Sequence, residues 1–177
     1  MTVTSRSDIS LERRDSMFAA AVRELAARVE GELLRPGSTG YVTARGVFNA
    51  MIDRHPALIL RCASAEDVRA GVSFAHTHDL ALSVKRGGHN VAGNAVCDAG
   101  LMLDLASMKA VSVDPAQQIA TVQPGLTLGD LDRATQPFGL ATPTGVVSVT
   151  GLSGLALGGG LGWLNGQHGL TCDNRPL

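Results

Sequence analysis

The stretch Val84-Lys85-Arg86-Gly87-Gly88-His89-Asn90-Val91-Ala92-Gly93-Asn94 sets one histidine inside a glycine-rich run that follows a short apolar segment. Glycines have no Cβ, so they take up positive φ and let backbone amides come close to an anion. Gly87 and Gly88 can therefore form a nest of N–H donors for a pyrophosphate, with Lys85 and Arg86 adding positive charge. The run reads as a phosphate-cradling loop with a reactive side chain built in. From its position alone, the His89 imidazole suits either a phosphate contact or a cap on the loop.

Upstream of this loop the pattern is that of a crossover. Ala57-Leu58-Ile59-Leu60-Arg61-Cys62 is a buried strand, and Ser64 with Asp67 forms a capping pair for a helix whose stripe is Val68, Val72 and Ala75. Ala81-Leu82-Ser83-Val84 is a second strand, expected parallel to the first. Ligands of parallel sheets bind beyond the carboxyl ends of the strands, which is where the glycine loop begins. Further back, Phe18, Val22, Leu25 and Val29 recur at helical spacing behind Asp15 or Ser16 as N-cap, with Gly31 as C-cap and residues 1–9 as a loose tail. Leu34-Arg35-Pro36-Gly37 breaks that helix, and Tyr41 to Ile52 reads as a short helix or an irregular turn.

Downstream, Leu101 to Leu105 is a further strand, and Ala110 to Val113 pairs with Ile119 to Gln123 as an antiparallel hairpin about the turn Asp114 to Gln118. Thr127 and Asp130 make a capping box for a helix that Gly139 closes. From Gly139 to Gly169 there are 10 glycines in 31 residues. That is too many for an ordinary core, yet the run is too rich in Val and Leu for a flexible linker. It reads as a second backbone surface built for close approach.

With this second surface in view, the chain resembles the FAD-linked oxidases of the berberine-bridge-enzyme-like type. The residues that carry the resemblance, over roughly Arg35 to Asn174, are the His89 loop, the run from Pro143 to Trp163 and the segment Gly169-Leu170-Thr171-Cys172-Asp173-Asn174. It implies an α+β, PCMH-type FAD-binding domain of the vanillyl-alcohol-oxidase group, with a small βαβ subdomain and a second, partly antiparallel, glycine-rich one. On this reading residues 1–34 are a tail and helix, and residues 35–177 are the FAD-binding domain, incomplete at its C-terminal end. Lys85, Arg86, Gly87, Gly88, Asn90, Val91, Gly93 and Asn94 would take the pyrophosphate. Thr144, Gly145, Ser148, Thr150, Gly151, Gly154, Gly158, Gly159 and Gly160 would lie against the ribityl chain and the isoalloxazine.

In relatives with this motif the matching histidine is bonded through a ring nitrogen to the flavin 8α-methyl carbon, so the resemblance assigns His89 that tether. Many relatives add a cysteine tether near the position of Val147; with valine there, a single link is expected. The implied reaction is oxidation of a small organic substrate by hydride transfer to the flavin. The chain departs from the pattern at Arg86, where a small residue is usual, and at Gly166 and Gln167, where a basic pair is common. The family keeps its catalytic base and substrate domain further along a longer chain, so no residue here is assigned as catalytic. A non-catalytic flavin-binding fragment is the alternative, and a flavin-free structural domain the third reading. An unpaired sheet edge is expected to favour self-association.

Composition removes other classes. A formal net charge of −1 and a pI near 6.5 give no long-range attraction to nucleic acid or anionic membrane, and four Phe, one Trp and one Tyr supply few platforms for stacking bases. No run approaches the about 18 apolar residues of a membrane span. The polar start of the chain fits no secretory signal. Cys62, Cys97 and Cys172 are odd in number and far apart, which argues for a reducing, cytoplasmic setting; Cys172 reads as a small buried hydrophobe.

Other motifs fail their tests. The Gly158-Gly159-Gly160-Leu161-Gly162 run misses the Rossmann spacing, since Trp163 and Asn165 stand where the last glycine would be needed. No Gly-Lys pair exists for a Walker loop, and Gly151-Leu152-Ser153-Gly154-Leu155 has Leu where a nucleophile elbow needs glycine. His76 and His78, read as loop residues beyond a helix end, lack the further ligands a metal site requires.

Overall fold

The computed structural model describes residues 6–174. It opens with helix α1 (Arg6–Arg28), followed by strand β1 (Glu32–Leu34) and helix α2 (Tyr41–Arg45). The helix starts earlier than the expected Asp15 or Ser16 cap; residues 6–16 hold no glycine or proline, so nothing in them stops helical propagation. Residues 1–5 of the expected tail lie outside the described residues.

Next come β2 (Leu58–Arg61), α3 (Ala65–Thr77), β3 (Leu82–Lys85) and β4 (Leu101–Asp104). The sheet order is β1-β2-β4-β3, with β1 antiparallel to β2 and the other three strands parallel. The crossover from β2 through α3 to β3 is parallel as expected, but β4 is inserted between its two strands. Burial follows that order. Leu101-Met102-Leu103-Asp104 is buried at every position, as a central strand covered on both faces must be, whereas β3 alternates exposed and buried and can sit at the edge.

One face of the sheet buries Leu58, Leu60, Leu101 and Leu103 under Val22 and Leu25 of α1 and Phe74 and Ala75 of α3. The other buries Ile59 and Met102 with Leu34, Tyr41, Ala44 and Val96. Thus α1 and β1, which precede residue 35, pack into the same core as the crossover. Asp67, itself buried, ties these parts together: it accepts hydrogen bonds from the amides of Glu30 (2.8 Å), Gly31 (3.0 Å) and Ala63 (2.8 Å). Glu32-Leu33-Leu34, which follow the expected cap at Gly31 and run into the expected break that begins at Leu34, are held as a strand by pairing with β2. His76 belongs to the last turn of α3 and His78 caps it, with the His78 ring against Phe18 and Phe74. His78 is thus a helix cap in an aromatic contact and His76 an exposed residue of the helix end, a correction to their reading as loop residues.

The rest of the chain forms the hairpin β5 (Val111–Asp114) and β6 (Ile119–Val122), then α4 (Leu128–Thr135), and the short helices α5 (Leu152–Leu157) and α6 (Asn165–His168). The Thr127/Asp130 capping box is present in full, and Gly139 ends the turn after α4 in the left-handed region, φ 68°. A small third core joins Leu126, Leu128, Leu131 and Leu152.

Candidate functional site

The carboxyl ends of β3 and β4 meet the second glycine-rich segment around a cavity of about 550 Å³, within the roughly 300–1,000 Å³ typical of small-molecule sites. Val84 and Leu105 mark the two strand ends. The first loop contributes Arg86, Gly87, Gly88, His89, Asn90 and Asn94, and the second contributes Thr150, Gly151, Ser153, Gly154, Leu155 and Leu157, with Pro124 between them. Stretches some 60 residues apart in sequence therefore share one site.

The seam between the loops is backbone against backbone. A Cβ on Gly87 would lie 2.8 Å from the Gly151 nitrogen, and one on Gly151 would lie 3.0 Å from the Gly87 nitrogen and 2.6 Å from Arg86 Cδ. Gly88 takes φ 68° and Gly93 φ 75°, conformations that strain side-chain-bearing residues. Gly154 faces open space. Among the described residues, the amides of 87–92 donate to no protein acceptor, and four of these residues, Gly87, Gly88, His89 and Asn90, line the cavity.

Charge is arranged differently from the sequence expectation. Lys85 points away from the cavity: its side chain is buried and its ammonium donates to the Ala44 carbonyl. Burial lowers its pKa, only partly countered by Asp104 across the strand pair. Arg86 reaches across the seam, where Nε donates to the Gly125 carbonyl at 2.8 Å and Nη2 lies 3.9 Å from the Asp130 carboxylate. An anion in this cavity would thus meet backbone amides before any free cation. That pattern suits a pyrophosphate held close to glycine.

Several other expected residues are absent from the cavity lining. Val91, Gly93, Thr144, Gly145, Ser148, Gly158, Gly159 and Gly160 do not line it. Some of these glycines serve internal fit: a Cβ on Gly145 would meet Leu155 at 2.4 Å, and one on Gly160 would meet Thr171 at 2.1 Å. Thr171 is buried there, donating from its hydroxyl to the Pro143 carbonyl at 2.6 Å. Ser153, considered in the sequence only as a failed nucleophile-elbow serine, donates to the Pro124 carbonyl at 3.0 Å and ties two parts of the cavity wall together. Leu155 and Leu157, also unassigned, sit on the helix that follows Gly151. Two positions apart on a helix, they lie on different faces, so no helical stripe announces them.

The sequence profile of the FAD binding domain family matches residues 56–175, about two thirds of the chain. The chain belongs to this FAD binding domain family. Among curated proteins it is 42% identical over 156 residues to an FAD-linked oxidoreductase of Dictyostelium discoideum, covering 86% of this chain and 34% of that protein. It is 38% identical over 146 residues to (R)-6-hydroxynicotine oxidase of Paenarthrobacter nicotinovorans, 82% of this chain and 32% of the relative.

The crystal structure of 6-hydroxy-D-nicotine oxidase from Arthrobacter nicotinovorans superposes with a TM-score of 0.81 at 38% identity, over 82% of this chain and 32% of that one. Glucooligosaccharide oxidase from Acremonium strictum, described as carrying a 6-S-cysteinyl, 8α-N1-histidyl FAD, gives 0.79 at 33% identity, over 86% and 32%. The chain thus spans about a third of the length of these relatives. Its fold is that of the PCMH-type FAD-binding oxidases, a mixture of α and β. FAD is the cofactor of this FAD binding domain, and the unspent amides and close glycine seam fit it. No helix among the described residues is long and apolar enough to cross a membrane.

Proposed function

We propose that the chain is the flavin-holding part of an FAD-linked oxidase, with the flavin tethered through His89 and a small organic substrate oxidised at the flavin. The observation that carries this reading is the position of His89: it opens on the cavity beside the unspent amides of 87–90, across from Gly151 and Gly154. Bound FAD supplies a hydride acceptor and passes electrons on, as it does in oxidases generally. The first loop would hold the pyrophosphate through backbone N–H groups, and Arg86 would keep that loop locked to the Pro124–Gly125 turn. The two subdomains of this reading are the four-stranded sheet with its helices and the β5–β6 hairpin with the glycine-rich segment beyond it. Among the described residues no cysteine lines the cavity, which supports one tether in place of the pair named for the Acremonium enzyme.

A second reading is favoured by one observation: among the described residues, no carboxylate or phenol lines the cavity to take a substrate proton. On that reading the chain binds flavin without turning over substrate by itself. Mass spectrometry of protein denatured after FAD loading tests the tether, with a gain of one flavin expected for wild type and none for His89→Ala. A native protein loaded with FAD that shows no added mass would sink the covalent link. Oxygen uptake screened over sugars, alcohols and amines separates the two readings.

A further inference from the structure

Phe48 is 73% exposed, yet its ring lies over the His89 imidazole with centroids 4.6 Å apart and planes 23° apart. An aromatic left so open gains little from burial, so its place is fixed by its backbone and by the stack. The Phe48 amide donates to the Gly88 carbonyl at 3.0 Å. Val47 packs so tightly on Gly88 that a Cβ there would lie 3.2 Å away, and Ile52 crowds Gly93 in the same way at 2.8 Å. Asn49 Nδ2 reaches the Val91 carbonyl at 3.4 Å. Residues 47–52 therefore run beside residues 88–93 as a splint, and none of them lines the cavity.

We infer that Phe48 is a positioning residue for His89: by covering one face of the imidazole it fixes the ring plane and so aims a ring nitrogen into the cavity. The lone pair of that nitrogen lies in the ring plane, so a ring free to turn about its bond to Cβ would spend only part of its time aligned. The inference rests on the tether reading. In that tethering the new C–N bond replaces one C–H bond of the flavin 8α-methyl and the imidazole N–H. The two electrons and two protons released end on dioxygen as hydrogen peroxide.

The test mixes flavin-free 177-residue protein with FAD under air, denatures samples over time and follows the added flavin mass, with His89→Ala as the blank. Phe48→Leu is expected to slow the gain about tenfold or more, while Phe48→Trp keeps the rate within about twofold. Carbon-bound ring protons of His89, followed by NMR in the flavin-free protein, should lie upfield under the phenyl ring and move downfield in Phe48→Leu. A wild type that tethers at the same rate as Phe48→Leu overturns the inference alone, as does equal slowing by Leu and Trp. A wild type that loads FAD without ever gaining its mass overturns the tether and the Phe48 inference with it.

Discussion

The strands of residues 57–105 and the loops of residues 143–174 are both rich in aliphatic side chains, but they dispose of them in opposite ways. In the first region Ile59, Leu60, Leu101, Met102 and Leu103 are wholly buried, because parallel strands covered on both faces close their own core. In the second, Leu157, Leu161 and Trp163 stand 71–87% exposed, and Gly151 and Gly162 bring backbone against backbone. A region that cannot bury its own apolar side chains presents a surface shaped for something else to cover. The first region therefore carries stability along with the His89 side of the site, and the second supplies the facing wall.

The strongest way to break this contrast is at Asp67. Asp67→Ala would orphan the amides of Ala63 in the first region and of Glu30 and Gly31, which join α1 to it, and is expected to cost about 4 kcal/mol in urea unfolding, enough to threaten the fold. Burial alone would raise the Asp67 carboxyl, but the amides of Ala63, Glu30, Gly31 and Ser64 outweigh it and hold its pKa below the ordinary value. A depressed folded value means the contribution is complete above the unfolded value of about 4 and is lost as pH falls through the folded one. Wild-type stability should drop on acidification, and that drop should shrink in the variant. A loss under 1 kcal/mol at neutral pH would show that the first region does not depend on this carboxylate.

A smaller effect separates two glycines of the second region. Gly151→Val meets the Gly87 backbone and is expected to abolish FAD loading at a cost of about 2 kcal/mol. Gly159→Val points only toward Leu170 at 3.6 Å, so it should cost about 1–2 kcal/mol through its φ of 109° and still load flavin. Equal loading of both, read by flavin fluorescence after desalting, would move the cofactor away from the seam.

The smallest effect is expected at Trp163, where 87% exposure leaves little to lose. Trp163→Ser should change thermal stability by no more than about 0.5 kcal/mol. A large loss would mean that the second region relies on this side chain for a core of its own.

Much of this protein was legible in the sequence because the relevant forces are local. The Thr127/Asp130 capping box, the left-handed Gly139 stop, the β5–β6 hairpin and the parallel crossover each follow from side chains within a few residues of one another. The glycine loop with its histidine was equally plain, since only a run lacking Cβ atoms can lay bare so many amides. The placement of β4 between β2 and β3, and of β1 on the sheet, was decided by tertiary pairing, because strand order depends on which faces must be covered and not on any local pattern. So too with the charges: Lys85 faces the core and Arg86 bridges to Gly125 because alternation along β3 and the approach of a distant turn set their directions. Phe48 came to rest on His89 in the same way, from 41 positions away, through a backbone contact that no periodicity announces.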